Sequence, residues 1–409
     1  MRVLFLCMRM VFEVNERNKK HTTGYSYMVR DIAEYAVKEG VSVDVLAISD
    51  EKHIKQYKGA RVISRSLGNL LLNLRPYYLF KALKTIRKYK PSLKMALRVL
   101  YYYFYNGYVE KCIKKGNYDL IHVHGLGYGG LAYADCCERL GVKYILTFHA
   151  LASFSEEMRK PKGIKQLERD YLKHVKTMRI PVTAISTGMM GKIMNFLDID
   201  DNEPYFYKIQ NGTKVNTEYL SDINIRTQYG IRDSQKIVLC VGNICRGKNQ
   251  IQIVRAVKHL SEEVRDKVCI MFLGRNIEDT KLNIEISRLG LNDNFRICGN
   301  IPKDVIGNYY AQADYTIMAS ISEGFGLSII EGFSYGLPNL SFVDLEAVPD
   351  LFDQNAMVTI ESRTDEALAD GICQLLENKW DRGFIKRYAK RFSLERMAAQ
   401  YVSVYSKLI

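Results

Sequence analysis

No apolar run in the sequence reaches the length of about eighteen residues that a membrane-spanning helix needs. The start, Met1 to Met8, is mostly apolar, but Arg9 ends the run and no small-residue cleavage site follows, so it predicts a buried first strand rather than a signal peptide. The nine cysteines form no Cys-x-x-Cys pair and no metal-ligand spacing. Several lie in apolar, strand-like stretches, where a free cysteine behaves as a small hydrophobe. We therefore expect a cytoplasmic protein in a reducing environment, without structural zinc.

Acidic residues are almost absent from one stretch of the chain. From Lys55 to Lys115 there are fifteen Lys and Arg residues and a single acid, Glu110, and the whole chain has a formal net charge of +14. Leucines and lysines alternate there at helical intervals, and aromatic residues are frequent, as in the run 101–105. The pattern predicts a basic, aromatic helical insertion at about 55–116 that attracts an anionic partner.

Three interpretations of this basic stretch remain open. Its lysines can simply be solvated on an inserted helical pair. They can also pair with the phosphates of an anionic membrane while the tyrosines of the run 101–105 lie at the headgroup level, which would place the protein peripherally at the inner face of the membrane. Nucleic acid is the least favoured partner, because no recognised binding motif accompanies the charge, and we expect none.

A chain of 409 residues exceeds what one hydrophobic core usually supports, so we expect two domains. In the first, a strand at 3–8, a helix that starts near Gly24 and a strand at 41–48 predict a parallel sheet with right-handed crossovers. The second half begins with a strand at 236–241, a basic loop and a helix. The predicted boundaries are 1–200 for the first domain, 207–391 for the second and 392–409 for a final amphipathic helix.

One stretch contains a glycine-spaced loop between a strand and a helix. Residues 315–318 predict a short buried strand, and residues 327–335 predict a helix that stops at Gly336. Between them, Gly324 and Gly326 lead into the helix N-terminus. Free backbone N–H groups and the helix dipole favour an anion such as a phosphate at that place.

Two carboxylates, Glu323 and Glu331, lie on either side of this loop. A carboxylate accepts hydrogen bonds but donates none, so its natural partners here are hydroxyls. A ligand with phosphate in its middle and hydroxyls at both ends, such as a nucleotide sugar, matches both features. A capped helix with two solvated glutamates is the alternative, since glycine-spaced loops before helices are common.

The spacing of Glu323 and Glu331, with seven residues between them, resembles the Glu-x7-Glu signature of the retaining glycosyltransferases of family 4, which have the GT-B fold. The intervening Gly-Phe-Gly and the later Gly336-Leu337-Pro338 also fit. The resemblance implies an α/β protein with two Rossmann-like parallel-sheet domains facing each other across a cleft, and a C-terminal helix that crosses back to the first domain. It implies a hexosyltransferase-type enzyme that uses a nucleoside-diphosphate sugar, with a UDP-sugar expected, and acts on a saccharide or lipid-linked saccharide in surface polysaccharide synthesis.

The resemblance also assigns roles to individual residues. His149, at the end of a predicted strand, matches the family histidine that faces the donor sugar. Glu323 would hold the same sugar. Lys248 matches the lysine that binds the donor diphosphate, and Arg246 stands near it, because Asn243 occupies the place of the usual arginine. The other donor-binding positions that the resemblance implies are Glu331 for the ribose hydroxyls, Asn300 and Ile301 for the base, and Gly24, Gly324, Phe325, Gly326 and Leu327.

Two positions depart from the family pattern. Lys214 stands where an aspartate is usual, which puts any role of that aspartate in doubt. Asp344-Leu345-Glu346 stand where the family often has a glycine pair, so the contacts to the donor sugar are expected to differ.

Other chemistries remain as alternatives. The cluster Asp198-Ile199-Asp200-Asp201 offers a superficial metal-binding pattern, but nothing nearby supplies further oxygen ligands, so we interpret it as a solvated connector and expect no metal cofactor. A hydrolase or epimerase on the same fold would use the two glutamates as acid and base. Such an enzyme would not need a basic diphosphate loop. A non-catalytic basic binding protein would not need the two glutamates.

Overall fold

The computed structural model describes residues 1–10, 12, 24–48, 54–64, 67–154, 163–200, 202–215, 223–278 and 281–409. The chain divides into two compact units. The first comprises Met1–Asn211 with Leu394–Ile409, and the second comprises Gly212–Ser393. The C-terminal segment therefore belongs to the first unit, as the predicted crossing back requires.

The first unit is built on an eight-stranded sheet. Its strands are β1 (Arg2–Arg9), β2 (Ser42–Ile48), β3 (Gln56–Tyr57), β4 (Ala60–Ser64), β5 (Leu120–His124), β6 (Tyr144–Phe148), β7 (Val182–Ala184) and β8 (Phe206–Lys208). Its helices before the C-terminal segment are α1 (Gly24–Lys38), α2 (Leu67–Leu71), α3 (Pro76–Tyr89), α4 (Leu93–Gly116), α5 (Tyr128–Leu140), α6 (Ile164–Met178) and α7 (Thr187–Leu197). The strand order is β3-β4-β2-β1-β5-β6-β7-β8. All neighbouring strands are parallel except the β3–β4 pair at one edge.

The second unit contains a six-stranded, fully parallel sheet. Its strands are β9 (Lys236–Val241), β10 (Val268–Leu273), β11 (Phe295–Gly299), β12 (Tyr315–Met318), β13 (Asn339–Phe342) and β14 (Met357–Ile360). Its helices are α8 (Ile225–Tyr229), α9 (Gln250–His259), α10 (Glu262–Asp266), α11 (Leu282–Arg288), α12 (Ile306–Gln312), α13 (Leu327–Ser334), α14 (Val348–Leu351), α15 (Asp365–Glu377) and α16 (Arg382–Ala389). The order is β11-β10-β9-β12-β13-β14. Central strands such as β10 are buried at every position, because helices cover both faces of a parallel sheet.

The last helix, α17 (Leu394–Leu408), packs against α1 in the first unit. The Tyr405 hydroxyl lies 2.6 Å from His122 Nδ1 on β5. His122 Nε2 in turn lies 2.6 Å from the Thr147 hydroxyl on β6. This buried chain of polar groups fixes the helix on the sheet, and the predicted amphipathic C-terminal helix is confirmed.

One predicted helical region is in fact part of the sheet. Residues 56–64 form β3 and β4 rather than the start of a helical insertion, and β4 pairs with β2. The charge pattern misled the prediction because Arg61, although 53% exposed, pairs with an acid on a neighbouring strand. Its Nε donates to Asp44 Oδ1 on β2 at 2.9 Å. The helices of the basic stretch begin only at Leu67.

The expectation that the tyrosines of the run 101–105 lie at a membrane headgroup level is wrong for two of them. Tyr103 and Tyr105 are 0% and 4% exposed. The Tyr103 hydroxyl donates to Asp135 Oδ2 at 2.5 Å. Helix α4 packs against both α3 and α5, so these positions face neighbouring helices rather than solvent. Among the described residues, no helix combines the length and the apolar character needed to cross a bilayer.

The strand order of the second unit creates a topological switch point at β9. Strand β10 lies on one side of β9 and β12 lies on the other. The loops that follow β9 and β12, at 242–249 and 319–326, therefore leave the same edge of the sheet. In open parallel sheets, ligands bind outside the carboxyl ends of the strands at such a point.

Candidate functional site

The loop after β9 begins with a close contact between two glycines. The Gly242 N–H donates to the Leu273 carbonyl oxygen at 2.8 Å. A Cβ on Gly274, at the end of β10, would lie 1.9 Å from the Gly242 carbonyl oxygen, so only glycine fits there. The Ile244 N–H then donates to the Arg275 carbonyl oxygen at 2.8 Å. The loops after β9 and β10 are therefore held together from their first residues.

Lys248 and Glu323 connect the loops after β9 and β12. The Lys248 ammonium group donates to Glu323 Oε2 in a hydrogen-bonded ion pair. Their side chains are 27% and 18% exposed. Burial lowers the pKa of Lys248, but the charge and hydrogen bond of Glu323 outweigh burial, so this pKa is raised above its ordinary value. Lys248 therefore carries a positive charge at the switch point. The Ile321 N–H also donates to the Gly247 carbonyl oxygen at 2.9 Å and ties the same two loops.

A glutamine that no motif marks in the sequence shapes the basic loop. Gln250 is 2% exposed, and its Nε2 donates to the Asn243 carbonyl oxygen at 3.0 Å. Its Oε1 accepts a hydrogen bond from the Cys245 N–H at 3.3 Å. Gln250 thus bridges both ends of the segment that precedes Arg246. In the described part of the chain, the exposed Arg246 guanidinium has no hydrogen-bond or ion-pair partner, which leaves it available to an anion.

The backbone N–H of Glu323 is already occupied. It donates to Glu346 Oε2 at 3.0 Å, and the Ser322 hydroxyl donates to Oε1 of the same carboxylate at 3.1 Å. The Glu323 N–H is therefore not available to an anion, because a carboxylate of the protein itself accepts its hydrogen bond. The sequence predicted free backbone N–H groups at the start of the helix that follows Gly326, and that expectation stays a prediction.

Helix α13 starts at Leu327, as predicted, directly after a left-handed glycine. Gly326 has a φ of +78°, and a Cβ there would lie 3.0 Å from the nearest side-chain atom. The Phe325 side chain is 2% exposed and packs edge-on against Phe392, with ring centroids 6.2 Å apart. Phe325 was predicted to bind the donor, but its side chain belongs to the core and only its backbone is left for a ligand. Gly324 and Leu327 are partly exposed.

Glu331 lies on α13 and is oriented by a buried tyrosine. The Tyr310 hydroxyl donates to Glu331 Oε2 at 3.0 Å, and Tyr310 is 1% exposed. Burial, followed by the negative charge of Glu331, raises the pKa of Tyr310 well above its ordinary value, so the hydroxyl remains a donor. The Tyr335 ring stacks on Tyr310 with centroids 5.5 Å apart. No sequence motif marked Tyr310.

The turn after β11 adjoins the same edge of the sheet. Gly299 has a φ of +72°, and its carbonyl oxygen accepts a hydrogen bond from the Gly274 N–H at 2.8 Å. Asn300 is exposed, whereas Ile301 packs partly against the core cluster of the second unit. The predicted contact of Asn300 and Ile301 with a nucleotide base stays a prediction.

In the first unit, His149 lies next to two aromatic groups. His149 Nε2 lies 3.2 Å from His124 Nδ1, and the Tyr25 ring stands edge-on to His149 with centroids 5.1 Å apart. Burial lowers the pKa of His149 to about 3, so the imidazole is neutral at physiological pH. His124 Nε2 is buried without a hydrogen-bond partner among the described residues. Gly24 is exposed at the start of α1, and the two residues before it lie outside the described residues.

The predicted connector at 198–201 is only partly described. Asp198 ends α7 in a left-handed conformation, and its N–H donates to the Met194 carbonyl oxygen. Asp201 lies outside the described residues. Across the parts of the chain that the structure describes, no group of three or more His, Cys, Asp or Glu side chains is arranged to hold a metal ion.

Two family models match this chain. A model described as Glycosyltransferase Family 4 matches residues 22–189, and one described as Glycosyl transferases group 1 matches residues 221–392. Glu323, Glu331 and Lys248 all fall within the second match.

Relatives of known name are distant. The D-inositol 3-phosphate glycosyltransferase of Corynebacterium urealyticum is 23% identical in an alignment of 419 positions, which covers 94% of this chain and 91% of the relative. An uncharacterized glycosyltransferase of Methanocaldococcus jannaschii is 24% identical over 200 residues, which cover 47% of this chain and 50% of the relative. The putative teichuronic acid biosynthesis glycosyltransferase of Bacillus subtilis is 23% identical over 62% of this chain and 60% of its own length. The chain thus matches between half and nine-tenths of the length of these relatives.

Solved structures share the fold along the whole chain. Sucrose-phosphate synthase from Thermosynechococcus elongatus superposes with a TM-score of 0.75 at 17% identity, covering 100% of this chain and 99% of the other. HepE of Anabaena, in complex with UDP and glucose, superposes with a TM-score of 0.67 at 17% identity, with 100% of both chains covered. Likeness at this identity shows the fold, and the fold is GT-B with two Rossmann-like parallel-sheet domains.

Proposed function

Because this chain belongs to glycosyltransferase family 4, and is therefore a transferase, we propose that it transfers a sugar from a UDP-sugar to a saccharide or lipid-linked saccharide, with retention of anomeric configuration. The observation that carries this proposal is the arrangement at the switch point of the second unit. Lys248 and Glu323 pair there across the loops that follow β9 and β12, and Glu331 lies on α13, the helix that begins directly after the second of these loops. One cation and two carboxylates match a diphosphate that lies between two hydroxyl-bearing groups.

Lys248 and Arg246 would hold the donor diphosphate. In the structure Lys248 is paired with Glu323, so donor binding would give the ammonium group a new, doubly charged partner and turn Glu323 toward the hydroxyls of the sugar. As the bond to the sugar breaks, negative charge grows on the departing phosphate, and the two cations would stabilise it. On this proposal the charge of the loop takes the role of a metal ion, and no metal cofactor is needed.

Glu331 and His149 would complete the donor contacts. Tyr310 occupies one oxygen of Glu331, which orients the carboxylate to accept hydrogen bonds from the ribose hydroxyls. His149 is neutral and would therefore act on the sugar through hydrogen bonds rather than as a cation. In front-face transfer the leaving phosphate takes the proton of the acceptor, so no side-chain base is required.

The choice of donor and acceptor is supported by similar proteins. HepE of Anabaena was crystallised with UDP and with UDP-glucose. Relatives of this chain are named for the biosynthesis of teichuronic acid in Bacillus subtilis and of O-antigen in Escherichia coli. These names favour a UDP-sugar and an acceptor in surface polysaccharide synthesis.

The alternative of a hydrolase or epimerase is less consistent with the two glutamates. Such chemistry uses one carboxylic acid and one carboxylate as acid and base. Here the Glu323 carboxylate accepts a hydrogen bond from the Lys248 ammonium group and Glu331 accepts one from a tyrosine, so both side chains act as acceptors rather than as proton donors. A basic loop beside them fits a diphosphate better than a neutral glycoside.

We also propose peripheral contact of the first unit with an anionic membrane from the cytoplasmic side. The contact surface would be the apolar-cationic face, which we define by the exposed residues of α2, the 72–75 segment, α3 and the first two turns of α4. Its apolar members are Leu71, Leu72, Leu74, Leu79, Phe80, Leu83, Leu93 and Leu97, with Leu72 84% and Leu93 80% exposed. Its unpaired cations are Arg75, Lys84, Arg87, Lys94 and Arg98, together with Lys90 directly after α3, and none of these six forms an ion pair within the described residues. Lys88, also exposed on α3, pairs with Asp170.

Apolar side chains rimmed by unpaired cations are typical of a surface that lies in the headgroup region of a membrane. On α3, positions 76, 79, 80, 83 and 87 recur at helical spacing, so they share one face. This surface replaces the buried tyrosines as the proposed membrane anchor. A lipid-linked acceptor would then be available where the enzyme binds.

The donor is testable without knowing the acceptor. Calorimetry with UDP, UDP-glucose, UDP-galactose and UDP-N-acetylglucosamine should show binding of UDP and of at least one UDP-sugar. Proton NMR of slow donor hydrolysis should show the α-anomer of the sugar as the first product, because the donors are α-linked and the transfer retains configuration. Absence of binding by every nucleotide would overturn the function, and initial release of the β-anomer would overturn retention.

A further inference from the structure

The turn after β13 holds the loop that carries Glu323. Glu346, in this turn, is 9% exposed and accepts two hydrogen bonds from consecutive residues of the loop. Its Oε1 accepts from the Ser322 hydroxyl at 3.1 Å, and its Oε2 accepts from the Glu323 N–H at 3.0 Å. One side chain therefore fixes both the backbone of Glu323 and the residue before it.

A second acid of the same turn holds the loop from the other side. Asp344 forms two hydrogen bonds with Arg363, from Nε to Oδ2 at 2.8 Å and from Nη2 to Oδ1 at 2.6 Å. Arg363 Nη1 donates to the Ser320 carbonyl oxygen at 3.1 Å. Residues 320–323 are thus clamped to residues 344–346 at both ends. The same residues are linked through Ile321 to the basic loop.

Glu346 caps this loop with a carboxylate. Burying a carboxylate is unfavourable unless its oxygens accept hydrogen bonds. Here both oxygens do so, and both donors belong to the two residues that set the position of the Glu323 side chain. A residue without acceptor atoms at position 346 would leave the Glu323 N–H and the Ser322 hydroxyl unpaired.

We infer that Glu346 is a positioning residue that holds Glu323 in the place where it contacts the donor sugar. This inference rests on the proposed function and goes beyond it, because it explains how a turn outside the Glu-x7-Glu stretch sets the geometry of its first glutamate. Glu346 would act on the sugar only through Glu323. Its removal should therefore affect the sugar part of the donor and spare the UDP part, which Lys248, Arg246 and Glu331 bind.

The variants can separate hydrogen bonding from other effects of the substitution. Glu346→Gln keeps one oxygen for the Glu323 N–H, and its new NH2 group can donate to the Ser322 oxygen, since a hydroxyl both donates and accepts. Glu346→Ala removes both hydrogen bonds. Glu361→Gln, at an exposed position of the same unit with no hydrogen bond among the described residues, is the matched control.

The experiment compares the affinities for UDP and for the UDP-sugar that the wild type binds best. Glu346→Ala should weaken the UDP-sugar about tenfold, the loss expected for one charge-assisted hydrogen bond, and leave UDP unchanged. Glu346→Gln should stay close to the wild type, and Glu361→Gln should match it for both ligands. Equal weakening of UDP and UDP-sugar, or Glu346→Gln as weak as Glu346→Ala, would overturn the inference.

A second readout needs no nucleotide. In hydrogen exchange, the Glu323 amide should exchange faster in Glu346→Ala than in the wild type and in Glu346→Gln, while amides of β9 and β12 keep their protection. Unchanged exchange at Glu323 would overturn the positioning role even in a protein that binds no nucleotide. Failure of the wild type to bind any UDP-sugar would instead overturn the proposed function, so the two failures are distinct.

Discussion

Lys248 donates a hydrogen bond to the carboxylate of Glu323 across the two loops that leave the switch point of the second unit. Both residues are predicted to contact the donor, Lys248 at the diphosphate and Glu323 at the sugar. Each therefore satisfies the charge of the other before a donor arrives. This arrangement lowers the cost of keeping a partly buried cation and a partly buried carboxylate side by side.

The first prediction concerns Lys248. We expect Lys248→Ala to weaken UDP binding by about 1.5–3 kcal/mol, or about 10- to 150-fold, because the diphosphate loses a charged hydrogen bond. Calorimetric titration with UDP measures the change. Lys258→Ala, which removes an exposed lysine from α9 in the same unit, should bind UDP like the wild type. A folded Lys248→Ala variant with unchanged affinity would remove this lysine from the site.

The central elements of the fold could be predicted because their sequence signals are local and strong. The strands predicted at 3–8, 41–48, 236–241 and 315–318 are all present, and so is the helix after Gly326. A short apolar run bounded by glycine is typical of a buried strand in a parallel sheet. The Glu-x7-Glu spacing likewise placed Glu323 and Glu331 on either side of the start of α13.

The supporting contacts could not be predicted, because they depend on residues far apart in the chain. Gln250 shapes the basic loop, and Tyr310 and Glu346 each hold a predicted site residue, yet none of the three belongs to a local motif. The buried Tyr103 was mistaken for a surface residue for the same reason. Its partner Asp135 lies on another helix, and a count of basic and aromatic residues does not reveal it.

The second prediction tests whether Glu331 binds the ribose. Glu331→Gln keeps an oxygen for Tyr310 but loses the charge, so it should weaken UDP by about 1.5 kcal/mol or more. The same substitution should hardly affect 2′,3′-dideoxy-UDP, which has no ribose hydroxyls. Tyr309→Phe is the control, since Tyr309 is the neighbour of Tyr310 on α12. Its hydroxyl lies 2.9 Å from the Tyr229 hydroxyl rather than on Glu331. Equal losses for UDP and the dideoxy analogue would place Glu331 away from the ribose.

The third prediction concerns metal ions. UDP-sugar binding and donor hydrolysis should persist in EDTA, because Lys248 and Arg246 are expected to supply the positive charge that a metal would otherwise bring. Activity assays before and after chelation, with magnesium or manganese added back, measure this. Complete loss of activity in EDTA that either ion restores would require a metal site, for which Asp198 and Asp200 would be the candidate ligands.

The fourth prediction is a pH dependence of stability that arises from His149. Burial lowers the pKa of His149 to about 3, compared with about 6.5 in an unfolded chain. Between these values the unfolded chain binds a proton that the folded protein does not. The contribution of His149 to the free energy of unfolding is therefore fully present above about pH 6.5. As the pH falls below that value, this one group lowers the free energy of unfolding by up to about 1.4 kcal/mol per pH unit.

His149→Asn should reduce that slope by about one proton, as measured by urea unfolding followed by circular dichroism at a series of pH values. Above pH 7 the variant and the wild type should run parallel, which provides the internal control. His122 and His124 also have lowered pKa values, caused first by burial, so part of the slope should remain. An identical slope in the wild type and His149→Asn would show that this imidazole is not buried in its neutral form.

The fifth prediction concerns the apolar-cationic face. The protein should sediment with vesicles that contain phosphatidylglycerol and not with pure phosphatidylcholine, and added salt should release it, because each cation near an anionic surface contributes about 1 kcal/mol. Lys84→Glu combined with Arg87→Glu should weaken binding by at least about 2 kcal/mol, and Phe80→Ser combined with Leu83→Ser should weaken it at every salt concentration.

The matched control is Lys111→Glu combined with Lys115→Glu, at exposed positions near the other end of α4, which should bind like the wild type. Equal binding to neutral and anionic vesicles, or equal losses in the control and in the Lys84 and Arg87 variant, would contradict a membrane contact at this face.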